Sequence, residues 1–121
     1  MPNHPSKIEE EDLSVFVKWI EFIEWLFPHT QKFPKCSRFT LALRIENYAL
    51  NIIEDLVEAR YSKNKIEILR KINLSLEKIR IMLRLSHKFR HLSTQSYEFA
   101  CRSLNEVGSM IGGWIRQQES K

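Results

Sequence analysis

Apolar residues recur every three or four positions along four stretches of the chain, with polar and charged residues between them. This spacing is typical of helices that bury one face. Alternation of single apolar and polar residues, the pattern of a half-buried strand, does not persist for more than a few positions. The sequence therefore predicts four helices, at about residues 11–27, 37–60, 65–91 and 93–118.

Short breaks of turn-forming residues set the expected helix boundaries. Pro28 is expected to end the first helix, because proline lacks the amide hydrogen that continues the backbone ladder. Ser37 and the pair Ser93 and Thr94 are expected to cap the second and fourth helices through their side-chain oxygens. The turn between the second and third helices is expected at residues 62–64.

Breaks this short place consecutive helices antiparallel, which is the connectivity of a four-helix bundle. A chain of 121 residues also suits one domain with one core. We therefore predict an all-α fold, an antiparallel up-down-up-down four-helix bundle over residues 11–118. Residues 1–10 are expected to form a flexible N-terminal segment, and residues 119–121 a C-terminal tail.

The same period predicts which apolar residues of the first two helices face the core. In the first helix these are Leu13, Phe16, Val17, Ile20, Ile23, Leu26 and Phe27. In the second helix they are Phe39, Leu43, Ala49 or Leu50, Ile53, and Leu56 or Val57.

The third predicted helix is apolar on two sides. Its expected core face comprises Ile68, Leu69, Ile72, Leu76, Ile79 and Leu83. A second apolar stripe gathers on the opposite side, at Leu74, Ile81, Leu85 and Leu92. The second stripe favours self-association, because a helix apolar on two sides usually has neighbours on both. A helix placed more centrally in its own bundle is the alternative that periodicity leaves open.

Positive charge is concentrated in the second half of the chain. Residues 1–60 hold 7 Lys/Arg and 10 Asp/Glu, whereas residues 61–121 hold 12 and 5. Such an excess suits a polyanion, because cations that neutralise phosphates release condensed counterions. A solvated helix face is the alternative. The candidate nucleic-acid-binding residues lie on or just after the third helix: Arg70, Lys71, Lys78, Arg80, Arg84, Lys88 and Arg90.

Motifs for catalysis or metal binding are not readable in the sequence. Cys36 and Cys101 have no metal-like spacing and are expected to be reduced, partly buried thiols. His87 and His91 lie four residues apart, but no carboxylate stands between them to complete a zinc motif. Neither a phosphate-binding glycine loop nor a nucleophile motif occurs. We therefore expect no catalytic residue, no metal, no cofactor and no small-molecule substrate.

Membrane insertion and secretion are not expected either. No apolar run approaches the ~18 residues that a membrane-spanning helix needs. The first residues lack the apolar core of a signal peptide. A cytoplasmic location is the resulting expectation.

Three glycines interrupt the fourth predicted helix, at Gly108, Gly112 and Gly113. Each costs about 1 kcal/mol relative to alanine within a helix. Close approach of another backbone beside Trp114, at a helix crossing or a subunit contact, would explain them. A frayed terminal turn is the alternative. Trp114, on the fourth helix, is therefore a further candidate oligomer contact beside the second apolar stripe of the third helix.

Three stretches together resemble the Avd (accessory variability determinant) proteins of diversity-generating retroelements. They are FPKCSRFTLALRIEN at 33–47, the basic Leu-rich third helix ending in LRLSH at 83–87, and GGWIRQQ at 112–118. Arg38, Arg44 and Trp114 match the family motifs, whereas Cys36 stands where these proteins usually carry a small residue such as Ser. The wider family also includes proteins encoded in intervening sequences of bacterial 23S ribosomal RNA genes.

The resemblance implies a homopentamer of four-helix bundles, shaped as a positively charged barrel. It also implies association with the reverse transcriptase of the retroelement and with its template-repeat RNA or the cDNA copied from it. The polymerase chemistry belongs to the partner, so this chain is expected to be a non-catalytic accessory subunit. The alternative is a stand-alone bundle of the ribosomal-RNA intervening-sequence type, with a structural or ribosome-associated role.

Overall fold

The chain folds as four long helices in a computed structural model that describes residues 7–121, with side chains from residue 12 onward. α1 spans Lys7–Thr30, α3 spans Lys65–Lys88 and α4 spans Thr94–Glu119. We use α2 for three consecutive pieces: a helical turn at Lys35–Ser37, a π-helical segment at Arg38–Ala42 and an α-helix at Leu43–Tyr61. None of the helices described is long and apolar enough to cross a membrane.

The limits of α1 and α4 can be compared with the predicted limits of the bundle at both ends of the chain. Residues 1–6 of the segment expected to be flexible lie outside the described residues, and α1 already begins at Lys7. At the other end, α4 continues to Glu119, one residue beyond the predicted limit of the bundle.

The helices pack in the predicted antiparallel order. α1 packs against α2 and α4, and α3 also packs against α2 and α4, so the four helices surround one core. The all-helical four-helix bundle is therefore confirmed. Because the helices alternate in direction, the α1–α2 and α3–α4 connections lie at the same end of the bundle, and the α2–α3 turn lies at the other.

Pro28 does not end the first helix, which corrects the predicted boundary. It lies in the last turn of α1, and the helix continues to Thr30. There the missing amide hydrogen costs only one hydrogen bond. The amide of Gln31 still donates to the carbonyl of Phe27, at 2.9 Å, and closes the helix.

Ser37 does not cap the second helix. Pro34 stands at the N-cap position of the first turn of α2, and neither it nor Ser37 makes a side-chain capping hydrogen bond. The hydroxyl of Ser37 instead lies 2.8 Å from Nε2 of His91. At α4 the prediction is confirmed, because Ser93 is the N-cap and its hydroxyl accepts a hydrogen bond from the amide of Ser96.

The core face of α2 agrees with the prediction only in part, since Ala49 and Leu56, each one of two adjacent alternatives, are buried. Phe39, Leu43, Leu50 and Val57 are exposed, and the buried residues are Ala42, Ile45, Ala49, Ile52, Leu56 and Ala59. At Ala49 the small side chain leaves room for α1, and the indole of Trp19 donates to the carbonyl of Ala49 at 2.9 Å. The π-helical segment also rotates Phe39 relative to the residues that follow, since a π turn holds extra residues.

A similar correction applies to α1, whereas α3 follows its prediction. In α1 the buried apolar residues are Val15, Trp19, Phe22 and Leu26, while Leu13 and Val17 are exposed. Both sets follow a helical period, so periodicity could not choose between them. In α3 the predicted face is confirmed: Leu69, Ile72, Leu76, Ile79 and Leu83 are buried.

Candidate nucleic-acid interface

The second apolar stripe of α3 is exposed in the folded chain. Leu74, Ile81 and Leu85 point away from the core with 57%, 56% and 38% of their surface exposed. These residues recur at helical spacing, so they form one line along the helix. The alternative of a centrally placed α3 therefore does not hold within a single bundle.

Two residues expected to join that stripe lie elsewhere. Leu92 follows the end of α3 and folds back into the core, and Trp114 is among the largest fully buried side chains. Both side chains pack in the core of their own bundle, so they cannot extend the exposed stripe. The structure therefore restricts the candidate oligomer contact on α3 to Leu74, Ile81 and Leu85.

Arg80 differs from the other candidate cations because it is held inside the bundle. Its guanidinium donates to the carbonyl of Leu104 at 3.2 Å, to Oδ1 of Asn105 at 3.3 Å and to Glu77 at 2.9 Å. Only 30% of the side chain is exposed. Arg80 thus connects α3 to α4, so its guanidinium is less available to a ligand than an unpaired cation.

Three further candidate cations have partners on neighbouring helices. Arg70 pairs with Glu119 at 3.3 Å, Lys71 pairs with Asp55 at 3.5 Å, and Lys78 lies 5.6 Å from the centre of the Tyr48 ring. The Arg70–Glu119 pair joins two exposed side chains and contributes little, whereas Lys71 pairs with a buried carboxylate. These cations line both flanks of the α3 stripe and remain accessible.

The last three candidates cluster where α3 ends. Arg84, Lys88 and Arg90 are exposed, and none makes an ion pair within the part of the chain that the structure describes. Arg90 directly follows the cap of α3 and adopts a φ of 65°. Among the predicted site residues, these three cations form the largest group without an ion pair in the described structure.

Tyr97 and His87 form a stacked pair beside this cluster. Their ring centres are 4.7 Å apart and nearly parallel, and Nε2 of His87 is 3.1 Å from the hydroxyl of Thr94. Burial raises the pKa of the Tyr97 phenol, the hydrogen bond with Cys101 raises it further, and the nearby Arg84 acts in the opposite direction. The pair fixes the start of α4 against the end of α3.

A second basic segment, which the sequence analysis missed, reaches the same end of the bundle. Lys32, Lys35 and Arg38 lie on and just after the α1–α2 connection and are exposed. The Ser37–His91 contact and a 5.2 Å ring contact between Phe33 and His91 join this connection to the α3–α4 turn. We call residues 32–39 and 87–91 together the connection end.

A signal for this second segment was present in the sequence. No Asp or Glu occurs between Glu24 and Glu46, and none occurs between Glu77 and Glu98. Each of these stretches looks only moderately basic alone. Folding brings them together, and the two segments that form the connection end contain no Asp or Glu.

The cysteines and histidines give no sign of a metal site. Cys36 is exposed, not partly buried as expected, and Cys101 is partly buried. His87 and His91 have separate partners, Thr94 and Ser37. Within the described part of the chain, no three His, Cys, Asp or Glu side chains are grouped so that they could hold a metal ion.

Two of the three glycines of α4, Gly112 and Gly113, are not required by packing within one bundle. A Cβ added to Gly112 or Gly113 would meet only the end of the Arg116 side chain, at 3.5 and 3.8 Å. Gly108 is tighter, because its added Cβ would lie 3.2 Å from the Arg80 guanidinium. No other backbone therefore approaches Gly112 or Gly113 inside the chain itself.

The comparisons with known proteins agree with this architecture. A family model described as bAvd-like matches residues 14–118, which covers all but the first part of α1 and the last residues of the chain. No curated protein and no solved structure matches the chain. Since the match extends over nearly the whole bundle, the chain belongs to the bAvd-like family.

Proposed function

We propose that this protein is a cytoplasmic, non-catalytic accessory subunit of a diversity-generating retroelement. In this role it binds the reverse transcriptase together with template RNA or cDNA and supports mutagenic cDNA synthesis. Membership in the bAvd-like family supports an accessory protein of the Avd type. The observation that carries the proposal is the exposed α3 stripe bordered by cations, on a chain of this family.

The stripe supports an assembly of several copies, because soluble proteins rarely leave such a line of apolar residues in water. Leu13 and Val17 on α1, with Leu43, Leu50 and Val57 on α2, provide a different exposed apolar surface. These two helices are neighbours, and an ion pair between Asp12 and Arg60 joins them at 3.8 Å. We name these five residues the α1–α2 surface.

Two different apolar surfaces on one chain fit a head-to-tail contact between copies. In such a contact the α3 stripe of one copy packs against the α1–α2 surface of the next, and the copies form a ring when the rotation closes. A ring repeats the free cations of Arg84 and Lys88 around its circumference, which strengthens the attraction for a polyanion. The number of five copies follows from the resemblance to Avd proteins.

Reconstitution tests the accessory role. A reverse transcriptase from a diversity-generating retroelement with an accessory protein of this family is supplied with its template-repeat RNA, alone or with the purified chain, and cDNA is measured. We expect efficient cDNA synthesis only when both proteins are present, and none from the chain alone. Equal synthesis by the polymerase alone, together with no complex in size-exclusion chromatography, would remove the proposal.

A further inference from the structure

Two large aromatic side chains are exposed at the connection end. Phe39 is 73% exposed and Phe89 is 59% exposed, although both belong to a bundle with a well-filled core. Phe89 lies 6.0 Å from His91, the residue that contacts Ser37 across the two connections. Phe39 follows Ser37 by two residues, so it lies within one helical turn of that contact along the axis of α2 and points outward where Ser37 points inward. Packing within the chain does not account for either phenyl ring.

Exposed cations are close neighbours of both rings along the chain. Lys35 and Arg38 precede Phe39, and Lys88 and Arg90 flank Phe89. Helix dipoles do not explain the first two, because Lys35 and Arg38 stand at the start of α2, where the dipole disfavours positive charge. Their presence costs α2 some stability, which points to a role outside the bundle.

Arg90 provides an independent indication. It is the residue after the C-cap of α3, and its φ of 65° lies in the left-handed region. Glycine usually occupies this position, because any side chain there is strained. A strained residue that persists at a surface points to a function for its side chain. Here that side chain is an exposed guanidinium beside Phe89.

From this arrangement we infer that the connection end binds single-stranded nucleic acid. Unpaired bases stack on Phe39 and Phe89, and Lys35, Arg38 and Arg90 contact the phosphates between them. This inference rests on the proposed function and gives it a location and a substrate class. Exposed aromatic rings among cations suit a single strand because its bases are free to stack, whereas the bases of a duplex are already stacked on one another.

Binding of fluorescent RNA by anisotropy tests the inference, with the full-length protein in its natural assembly. The probes are a 20-nucleotide uridine oligomer as single strand and an RNA duplex of the same length, chosen on the basis that stacking is tolerant of sequence. Combining F39A with F89A should weaken single-strand binding at least about thirtyfold, because each stacked base contributes about 1 kcal/mol or more. Duplex binding should hardly change, because it does not use the rings.

Charge reversal with a matched control tests the cations. K35E combined with R38E should weaken single-strand binding at least as much as the phenylalanine changes. K63E combined with K121E makes the same change in net charge away from the connection end, and should have a much smaller effect. R90G should also weaken binding while the melting temperature stays the same or rises, since glycine relieves the left-handed strain.

The outcomes separate this inference from the proposed function. If the unaltered protein binds neither RNA, the proposed function fails as well. If it binds RNA but all connection-end variants retain full affinity, only this inference fails. If K35E with R38E keeps its affinity for RNA and loses the reverse transcriptase, the connection end is a protein-docking surface and the inference is wrong.

Discussion

The hydroxyl of Ser37 lies 2.8 Å from Nε2 of His91, and this contact joins two connections that are 54 residues apart in sequence. Ser37 is buried there, next to the exposed Cys36. Because the contact takes the place of a helix cap, the start of α2 depends on the α3–α4 turn for its position. The surface formed by residues 32–39 and 87–91 therefore folds as one unit.

Removal of the Ser37 hydroxyl should destabilise the fold. S37A leaves the partner nitrogen of His91 without its hydrogen bond, which should cost about 0.5–1.5 kcal/mol because the contact is partly buried. Urea denaturation monitored by circular dichroism measures the free energy of unfolding. S109A is a suitable control, because Ser109 is exposed on α4. Equal free energies of unfolding for S37A and S109A would show that the Ser37–His91 contact does not stabilise the fold.

The Ser37–His91 contact also illustrates which features the sequence could not predict. Four helices, their order and the α3 core were predicted, because each helix carries a clear apolar period. The capping role of Ser37 was wrong, because a serine before an apolar run can bond to a distant partner as well as to its own helix. A partner 54 residues away leaves no trace in local sequence.

Faces of α1 and α2 were mispredicted for a related reason. At two positions of α2 the apolar period left adjacent residues as alternatives, and packing buried Ala49 and Leu56 and left Leu50 and Val57 exposed. The candidate site was found in part: the cations of α3 were named, while Lys35 and Arg38 were missed. Their significance depends on which connections meet at one end, which only the fold determines.

Ile81 should be required for assembly and dispensable for folding. I81E places a charge in the middle of the α3 stripe, where 56% of the side chain is exposed in the single bundle. Copies should therefore separate, because burying an unpaired carboxylate between them is costly. Light scattering coupled to size-exclusion chromatography measures the mass, and circular dichroism checks that helicity is kept.

S109E, which adds the same charge on the polar face of α4, should leave the assembly intact. Loss of helicity in I81E would mean that the stripe belongs to a folded core. A monomeric unaltered protein at micromolar concentration would contradict the self-association itself.

Arg80 and Arg84 should behave differently although they lie one helical turn apart. R80A removes the hydrogen bonds to Leu104 and Asn105 and should lower the free energy of unfolding by about 1–2 kcal/mol. R84A removes an exposed side chain and should hardly change stability. Chemical denaturation of both variants tests this contrast. Equal losses would show that the contacts of Arg80 with α4 do not contribute.

Tyr97 should make the fold sensitive to alkaline pH. Its pKa is raised above the ordinary 10.0, mainly by burial. The unfolded chain then loses the phenolic proton first, so the stability contributed by the neutral phenol is complete below pH 10.0 and declines as pH rises through the folded-state pKa. Y97F should weaken this decline in thermal melts across that range. Y61F, at an exposed tyrosine, should retain it.

The salt dependence of RNA binding should distinguish a phosphate-binding surface from a solvated helix face. Each phosphate contact with a single strand contributes about −0.7 to the slope of log affinity against log salt concentration. R84E combined with K88E removes two cations that form no ion pair within the described residues, so it should weaken binding and flatten the slope by about 1.4. Fluorescence anisotropy between low and moderate salt provides both quantities.

The loss should be similar for RNAs of different sequence, because phosphate contacts position a strand without reading its bases. Arg80 is left unchanged in this variant, since its loss would disturb the α3–α4 packing and confuse stability with affinity. Helicity and mass should stay the same, because exposed charges contribute little to folding. If affinity and slope match the unaltered protein, the free cations of α3 only face solvent, and any RNA contact must come from another surface.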